Sequence, residues 1–253
     1  MKFSYIIAFR YSEDRLRNIK TILNWLKNFD CEIIIVESDI SSKIDSLSEF
    51  NFKHLYLQNN YPFNKSWCFN LGWMSAQNDK IVFGDADLVM NIDSLKSSIK
   101  HLDEYECVNP YSSVLDLSLD ETSKFINSQN LEDLFHIERP GRGETDHQKV
   151  PMCGGIILFQ KNALEKIVGW CEDFWGWGAE DDFMSKKAEH YLKHINLKEK
   201  CYHLYHEKAP VFQDLYYRNL KIFSFSANAS KEQFTEYLNK IAGTIGNLEK
   251  KLQ

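Results

Sequence analysis

The sequence predicts an α/β fold, in which a mostly parallel sheet is flanked by helices. The first observation is that short apolar runs alternate with amphipathic helical segments through the first half of the chain. The second is size, because 253 residues suit one large domain of this class. The third is that 43% of the residues are hydrophobic, which is enough for a packed core and excludes a disordered chain.

Four apolar runs are predicted as buried strands, and two helices are predicted between them. The strands are expected at residues 3–9, 32–36, 53–57 and 80–83. Ser12 and Glu13 open the first helix, which presents an apolar face as far as Leu26, and the second helix is expected at 65–77. This order of strands and helices indicates parallel pairing.

Charged side chains follow three of these strands. Arg10 follows the first strand and Glu37 ends the second. Asp85 and Asp87 follow the fourth. Because ligands of open α/β sheets bind beyond the carboxyl ends of the strands, the sequence predicts a binding site at this edge.

Composition restricts the class of ligand. The chain has 30 basic and 36 acidic residues, so its formal net charge is −6. A net negative chain is a poor partner for nucleic acid, because phosphate contacts need a basic surface. Aromatic residues reach 14%, which favours a flat ligand that stacks, or a ligand whose charge is carried by a metal.

The amino terminus and the cysteines favour a cytoplasmic location. The first apolar run is too short for a secretion signal, and no later run approaches the roughly 18 residues of a membrane span. The six cysteines include no Cys-x-x-Cys pair, which is typical of reduced, mostly buried thiols. Peripheral attachment to the inner face of the membrane is left open.

The second half of the chain has weaker patterns. Residues 112–150 are polar and are predicted as loops and short helices, and 198–202 is predicted as a last strand. A helix is expected from Ser230, with apolar residues at heptad spacing at Phe234, Leu238, Ile241, Ile245, Leu248 and Leu252. Packing of this helix on the domain is favoured over a homodimer formed through it, because the pattern is short for a coiled coil.

Asp85 and Asp87 are two residues apart at the end of an apolar strand. In extended backbone such residues point to the same side, and two carboxylates that face one way repel each other unless a cation lies between them. Hard oxygen ligands suit Mg²⁺ or Mn²⁺, which can also hold the phosphates of a ligand. On this pattern alone, a solvated turn is the more frequent interpretation.

A histidine pair follows the last predicted strand. His203 and His206 are three residues apart, so both can reach one ion if the chain turns there. A single histidine is usually structural, and a pair is only suggestive. Imidazole beside carboxylate favours Mn²⁺ over Mg²⁺.

An acidic triplet, Glu180-Asp181-Asp182, follows the aromatic segment Trp175-Gly176-Trp177-Gly178. The triplet is expected to open a helix over 183–194, where the helix dipole offsets part of the repulsion between the acids. For the triplet alone, an acidic helix start is the structural alternative. Small residues beside tryptophan favour a platform for a sugar or a base, and a neighbouring carboxylate can act as a general base.

Five motifs occur in a fixed order along the chain. They are Phe63-Asn64-Lys65-Ser66-Trp67-Cys68-Phe69-Asn70-Leu71-Gly72, Asp85-Ala86-Asp87-Leu88, Gly154-Gly155, Trp175-Gly176-Trp177-Gly178-Ala179-Glu180-Asp181-Asp182 and His203-x-x-His206. Together they resemble the β-1,4-galactosyltransferase family and its bacterial relatives, including chondroitin-polymerase-like domains, over about residues 5–210. The resemblance implies an inverting, metal-dependent glycosyltransferase of the GT-A fold, with a Rossmann-like mixed sheet, that uses a UDP-sugar.

The same resemblance implies a set of donor-binding residues. These are Phe9, Arg10, Glu37, Lys65, Asp85, Gly155 and Trp177. Within this set, Arg10 and Lys65 would contact the diphosphate, and Glu37 would contact the uracil. Gly155 and Trp177 would line the donor sugar and the acceptor.

It also implies the catalytic residues and the metal ligands. Asp181 would be the base, with Glu180 gripping substrate hydroxyls, and Asp182 would bind the acceptor together with Trp177. The metal ligands would be Asp87, His206 and His203. The ion would be Mn²⁺, with Mg²⁺ as the alternative. His203 stands where animal members of the family have a methionine ligand.

The chain departs from the family pattern at two positions, of which Ala179 is expected to narrow a loop slightly and Met152 leaves the donor sugar open. Ala179 replaces a glycine, and Met152 lies near the position that helps to select galactose against N-acetylgalactosamine. One of these two sugars is expected from the UDP-sugar donor. The expected acceptor is a glycan or a lipid-linked saccharide, in the synthesis of a bacterial surface polysaccharide.

The resemblance also suggests how the chain is divided. Residues 1–227 would form the glycosyltransferase domain, and residues 228–253 the C-terminal amphipathic helix. Within the domain, about 1–110 would bind the nucleotide and about 111–227 the acceptor. Two other functions are kept open. One is a non-catalytic sugar-binding module, and the other is a sugar-1-phosphate nucleotidyltransferase, although residues 8–12 lack the glycine-rich loop typical of the latter.

Overall fold

A computed structural model describes residues 2–145, 150–250 and 252 of the chain. The described residues form one eight-stranded sheet with helices on both faces. The strands are β1 Ser4–Phe9, β2 Glu32–Asp39, β3 Lys53–Gln58, β4 Lys80–Gly84, β5 Leu88–Met90, β6 Cys107–Asp116, β7 Ile157–Gln160 and β8 His194–His203. Their order across the sheet is β3-β2-β1-β4-β7-β6-β8-β5.

The helices cover both faces of this sheet. They are α1 Glu13–Leu26, α2 Lys65–Met74, α3 Ile92–His101, α4 Leu119–Ser128, α5 Glu132–Phe135, α6 Lys161–Lys166, α7 Glu180–Tyr191, α8 Gln213–Asn228 and α9 Lys231–Ile241. The Ser12 hydroxyl caps α1 by accepting from the Arg15 N–H, and the Asn64 side chain caps α2 in the same way at Trp67. The predicted start of α1 is confirmed, and α7 begins at Glu180 rather than at residue 183.

The parallel half of the sheet agrees with the sequence prediction. β1 pairs in parallel with β2 and β4, and β3 pairs in parallel with β2. Alternate residues of β1 supply two core layers, because Tyr5, Ile7 and Phe9 pack with α1 while Ile6 and Ala8 pack with α2. A strand that is buried on both faces reads as a continuous apolar run, which is why these strands were recognisable.

In the other half of the sheet only β8 was predicted, and it is longer than the expected strand at 198–202. β7 is antiparallel to β4 and β6, whereas β8 is parallel to β6 and antiparallel to β5. Residues 112–150, predicted as loops and short helices, continue β6 to Asp116 and then form α4 and α5, and 146–149 lie outside the described residues. β6 escaped recognition because its buried positions include the polar residues Asn109 and Ser113, which break the apolar pattern.

The C-terminal region contains two helices where one was predicted. α8 was not predicted, and the predicted C-terminal helix covers only Lys231–Ile241 within 228–253. Its apolar residues Phe234 and Leu238 are buried against the domain. Farther along, Ile245 and Leu252 pack at the edge of the core layer beneath α2. The division at residue 227 and the homodimer remain predictions.

Two further expectations concern membranes and thiols. Across residues 2–145, 150–250 and 252, no helix combines the length and the apolarity that crossing a bilayer requires. All six cysteines are unpaired, and five of them are buried. The expectation of reduced, mostly buried thiols is therefore confirmed.

Gly72 allows α2 to lie directly on β1, and its substitution tests this packing. A Cβ at this position would overlap the Cγ2 methyl of the buried Ile6. Alanine should gain about 1 kcal/mol of helix propensity but lose more through overpacking, which typically costs about 1–3 kcal/mol. We expect Gly72→Ala to lower the free energy of unfolding measured in denaturant, whereas Gly243→Ala, where a Cβ would meet no atom within 4 Å, should leave it unchanged. Equal stability of the two variants would contradict close packing of α2 on β1.

Candidate active site

The carboxyl ends of β4, β6 and β8 lie at the same edge of the sheet. β6 runs parallel to β4, because β7 is antiparallel to both, and β8 runs parallel to β6. The residues that follow or end these strands therefore converge. Four of the predicted site residues follow or end these strands, namely Asp85, Asp87, His203 and His206. The N-termini of α2 and α7 bring Lys65, Glu180 and Asp181 to the same edge.

A candidate metal centre lies at this edge. Asp87, His203 and His206 each offer one ligand atom, and the three atoms lie within 4.8 Å of one another. The Nε2 atom of His203 is 3.6 Å from one Asp87 carboxylate oxygen, and the Nε2 atom of His206 is 3.3 Å from the other. One carboxylate with two imidazoles is a donor set that suits a divalent transition metal, so these residues fit the predicted ion.

The fold brings the three ligands together through strand pairing. β5 pairs with β8 so that Leu88 lies opposite His203, which places the preceding Asp87 beside the imidazole. The Leu204 N–H donates to the Asp87 carbonyl at 2.8 Å and fixes the turn that carries His206. The Nδ1 atom of His206 is 2.8 Å from the Glu207 carbonyl, so its Nε2 is left to face Asp87.

A lysine-centred cluster lies next to the metal centre. Lys65 is the first residue of α2, and its side chain is only 14% exposed. Its Nζ atom is 2.7 Å from Asp181, 3.3 Å from Glu180 and 3.8 Å from Asp85. Burial opposes the charged form of the lysine, but the carboxylates of Asp181, Asp85 and Glu180 outweigh it and raise the pKa of Lys65 well above its usual value.

Asp181 has the properties of a general base. Burial raises its pKa to about 7, against the opposing effect of Lys65, and repulsion from Glu180 and Asp85 acts in the same direction as burial. A Cβ on Gly154 would lie 3.4 Å from the Asp181 carboxylate, so the glycine leaves the space in front of this group open. A carboxylate with a pKa near 7 at an open face can accept a proton at neutral pH.

The start of α7 is held in an unusual backbone conformation. Ala179, which stands where the resemblance expects glycine, has a left-handed φ of 71°. An L-residue in this region costs about 1–2 kcal/mol. The turn aims Glu180 and Asp181 at Lys65, whereas Asp182 is exposed and has no contact with the lysine cluster.

The aromatic segment before α7 is mostly core. Trp175 is 3% exposed and packs in the core, so the part of the expected sugar platform that it would form is wrong. Trp177 is 64% exposed and stacks on Tyr216 of α8, with ring centroids 5.6 Å apart and planes 20° apart. The exposed tryptophan of this segment is therefore paired with Tyr216, and the sequence missed this second ring because α8 was not predicted.

Arg10 has its guanidinium engaged by backbone. It donates to the carbonyl oxygens of Ser38, Asn59 and Tyr61 at 2.8 to 3.0 Å. This residue therefore ties the end of β2 and the loop after β3 to the end of β1. The preceding Phe9 is fully buried, so its side chain supports this edge from within the core.

Glu37 and Gly155 also shape the site from within. The buried Glu37 carboxylate accepts from the Ser42 hydroxyl and the Lys43 N–H, both at 2.6 Å, and lies 3.0 Å from His54. Gly155 has a φ of 72°, and a Cβ there would overlap Leu88 and the Tyr111 hydroxyl. Neither residue is brought to the lysine cluster or the metal centre by a described contact.

Comparison with known proteins identifies the family. Residues 4–168 match the profile of glycosyl transferase family 2, and residues 146–207 match the profile described as the N-terminal domain of galactosyltransferase. Mouse and human β-1,4-galactosyltransferase 7 are each 27% identical over 134 residues, which cover 51% of this chain. The match spans 32% of the length of these curated relatives.

Solved structures share the fold at low sequence identity. TarS of S. aureus, in a structure of its residues 1–349, has a TM-score of 0.61 at 17% identity, covering 98% of this chain and 71% of that one. The catalytic domain of Drosophila β-1,4-galactosyltransferase 7 has a TM-score of 0.54 at 15% identity, covering 90% and 82%. These neighbours confirm the predicted GT-A fold, and the relatives confirm the predicted resemblance to galactosyltransferases. Because the first profile spans more than half of the chain, the protein belongs to glycosyl transferase family 2.

Proposed function

We propose that this protein is an inverting, metal-dependent glycosyltransferase that moves galactose or N-acetylgalactosamine from a UDP-sugar to a saccharide hydroxyl. The observation that carries this is the placement of Asp181, a candidate base, beside the Asp87–His203–His206 cluster, with Lys65 and Asp85 linking the two. A mutant of Drosophila β-1,4-galactosyltransferase 7 has been solved with manganese, UDP-Gal and xylobiose, which supports the same classes of donor and acceptor.

The metal would be held by Asp87, His203 and His206. When bound, a divalent ion stabilises the negative charge that develops on the diphosphate leaving group. Two imidazoles beside one carboxylate favour Mn²⁺ over Mg²⁺. The acceptor is proposed to be a glycan or a lipid-linked saccharide of a bacterial surface polysaccharide, handled on the cytoplasmic side of the membrane.

Lys65 would couple donor binding to activation of the base. Its ammonium is 2.7 Å from Asp181 and 3.8 Å from Asp85, so the carboxylates already share one cation. The donor diphosphate competes for the same cation, because Lys65 forms a charge-assisted contact with a phosphate oxygen. As the lysine turns toward the phosphate, its hold on Asp181 weakens, and the carboxylate becomes free to accept a proton.

Asp181 would then act on the acceptor. Its carboxylate takes the proton of the acceptor hydroxyl while the hydroxyl oxygen attacks the anomeric carbon. The bond to the diphosphate breaks on the opposite face, so one displacement inverts the configuration and needs no enzyme nucleophile. Glu180 and Asp182 would orient substrate hydroxyls, and Trp177 would cover a sugar face and exclude water.

Asp181→Asn tests the base directly. Loss of a positioned base typically lowers the rate by about 10²–10⁴-fold, so we expect a loss of this size in sugar transfer, measured as UDP release with Mn²⁺. Donor binding, measured by calorimetry, should change by only a few-fold because the amide keeps the shape of the site. Glu189→Gln is the matched control, because Glu189 lies on the same helix and pairs only with Lys186 among its described contacts. Near-normal transfer by Asp181→Asn would exclude Asp181 as the base.

Lys65→Met tests the diphosphate contact. A hydrogen bond to a charged group contributes about 1.5–3 kcal/mol, which corresponds to roughly a tenfold to hundredfold loss of UDP affinity. Titration calorimetry with UDP and Mn²⁺ measures this loss. Lys186→Met, which removes an exposed lysine of α7, should bind UDP normally. If both variants bind UDP with wild-type affinity, the proposed contact between Lys65 and the diphosphate is wrong.

The pKa of Asp181 sets the expected pH dependence. The base must be unprotonated, so kcat/KM should rise about tenfold per unit up to a pH of about 7 and then level off. Protonation of the histidine ligands also lowers activity in acid, but that effect weakens as the Mn²⁺ concentration rises, because the ion competes with protons. We assign the rise in kcat/KM near pH 7 to Asp181 if it persists at saturating Mn²⁺ and is absent from the profile of Asp181→Asn. A flat profile between pH 5.5 and 8, which brackets that pKa, would contradict the assignment.

A further inference from the structure

His203 is held between two carboxylates that come from neighbouring chain segments. Its Nε2 atom faces Asp87 at 3.6 Å, and its Nδ1 atom lies 3.0 Å from an Asp116 carboxylate oxygen. The two ring nitrogens therefore have different partners. Asp116 approaches the nitrogen that faces away from the cluster, so it does not belong to the group of three convergent ligand atoms.

Strand register explains this arrangement. β8 lies between β6 and β5 in the sheet, and His203 is the residue opposite Asp116 on one side and opposite Leu88 on the other. Asp116 is thus the last residue of one flanking strand, β6, and Asp87 immediately precedes the other, β5. A rigid sheet edge sets the imidazole orientation, which makes the geometry a consequence of backbone pairing.

Asp116 is itself anchored. The Arg142 guanidinium donates to its carboxylate at 2.9 Å. Arg142 is fixed in turn by two backbone hydrogen bonds with Val114 of β6, at 2.8 and 2.9 Å. The Asp116 side chain is 53% exposed, but its contacts with Arg142 and with His203 fix the orientation of the carboxylate.

We propose that Asp116 is a positioning residue of the metal centre, which holds His203 in the form that carries its proton on Nδ1 and presents Nε2 to the ion. A neutral imidazole binds a metal through one nitrogen while the other donates its N–H, and a carboxylate acceptor both fixes the ring and makes the ligand more basic. The Glu207 carbonyl orients the His206 ring in the same way, because it faces Nδ1 and leaves Nε2 for the ion. This role rests on the proposed function, because it requires that the cluster binds a divalent ion.

The test measures Mn²⁺ binding by the full chain without nucleotide, from the electron paramagnetic resonance signal of free Mn²⁺. Loss of such a partner typically costs 10–100-fold in metal affinity. We expect Asp116→Ala to weaken binding by at least about tenfold, and Asp116→Asn by less, since an amide oxygen can still accept from Nδ1. Glu144→Gln is the matched control. Glu144 lies on the same loop as Arg142 and pairs with Lys200 of β8, and none of its described contacts is with an imidazole.

A second measurement separates positioning from general damage. In protein with ¹⁵N-labelled histidine, NMR should show the Nδ1-protonated form of His203 in the wild type and a mixture of forms in Asp116→Ala, at similar thermal stability. The role of Asp116 would be overturned if Asp116→Ala bound Mn²⁺ with wild-type affinity, or if Glu144→Gln lost as much affinity as Asp116→Ala. Either result would leave the proposed function intact. If the wild type bound no Mn²⁺ and therefore did not differ from His206→Ala, the metal centre of the proposed function would be overturned as well.

Discussion

The organisation of this site depends on the crowding of carboxylates at one edge of the sheet. Asp85, Glu180 and Asp181 converge on a single ammonium group, and Asp87 lies two residues from the first of them. Burial, aided by repulsion from Glu180 and Asp85, raises the pKa of Asp181 to about 7, and the carboxylates raise the pKa of Lys65 against the effect of burial. This edge of the sheet therefore carries more negative than positive charge around one ammonium group, which is the charge balance that the proposed metal and anionic donor would correct.

Helix geometry makes such a concentration of charge tolerable. α2 and α7 both direct their N-terminal ends at the site, with Lys65 and Glu180 as their first residues. The partial positive charge of a helix N-terminus stabilises nearby anions, so α7 offsets part of the repulsion within its own acidic turn. The first-turn N–H groups of a helix N-terminus are in general also suited to phosphate oxygens. Carboxylates and a diphosphate can thus share one cleft.

The sequence predicted the parallel half of the sheet because its strands are buried on both faces and form apolar runs. It failed for β6, where buried polar residues such as Asn109 interrupt the pattern, and so it missed Asp116 as well. A carboxylate that directly follows the apolar pair Val114-Leu115 was the available signal. Most of the motif residues converge, but Gly155 and Asp182 make no described contact with Lys65 or the metal ligands. Arg10 and Glu37 bind loop segments, because a sequence pattern does not show which partners a side chain will meet.

The position of the exposed Trp177 depends on the backbone conformation of the segment that precedes α7. Gly178 has a φ of 113°, and a Cβ there would come within 3.0 Å of the Tyr216 ring, so only glycine lets Trp177 stack on α8. Asn219 of α8 is fully buried and donates to the Trp175 carbonyl at 3.0 Å, which holds the segment against the helix. The next turn carries Ala179 at a left-handed φ. These contacts offset the conformational cost at that alanine, and α8 thereby fixes both the stacked pair of Trp177 and Tyr216 and the acidic turn that carries Asp181, the base of the proposed function.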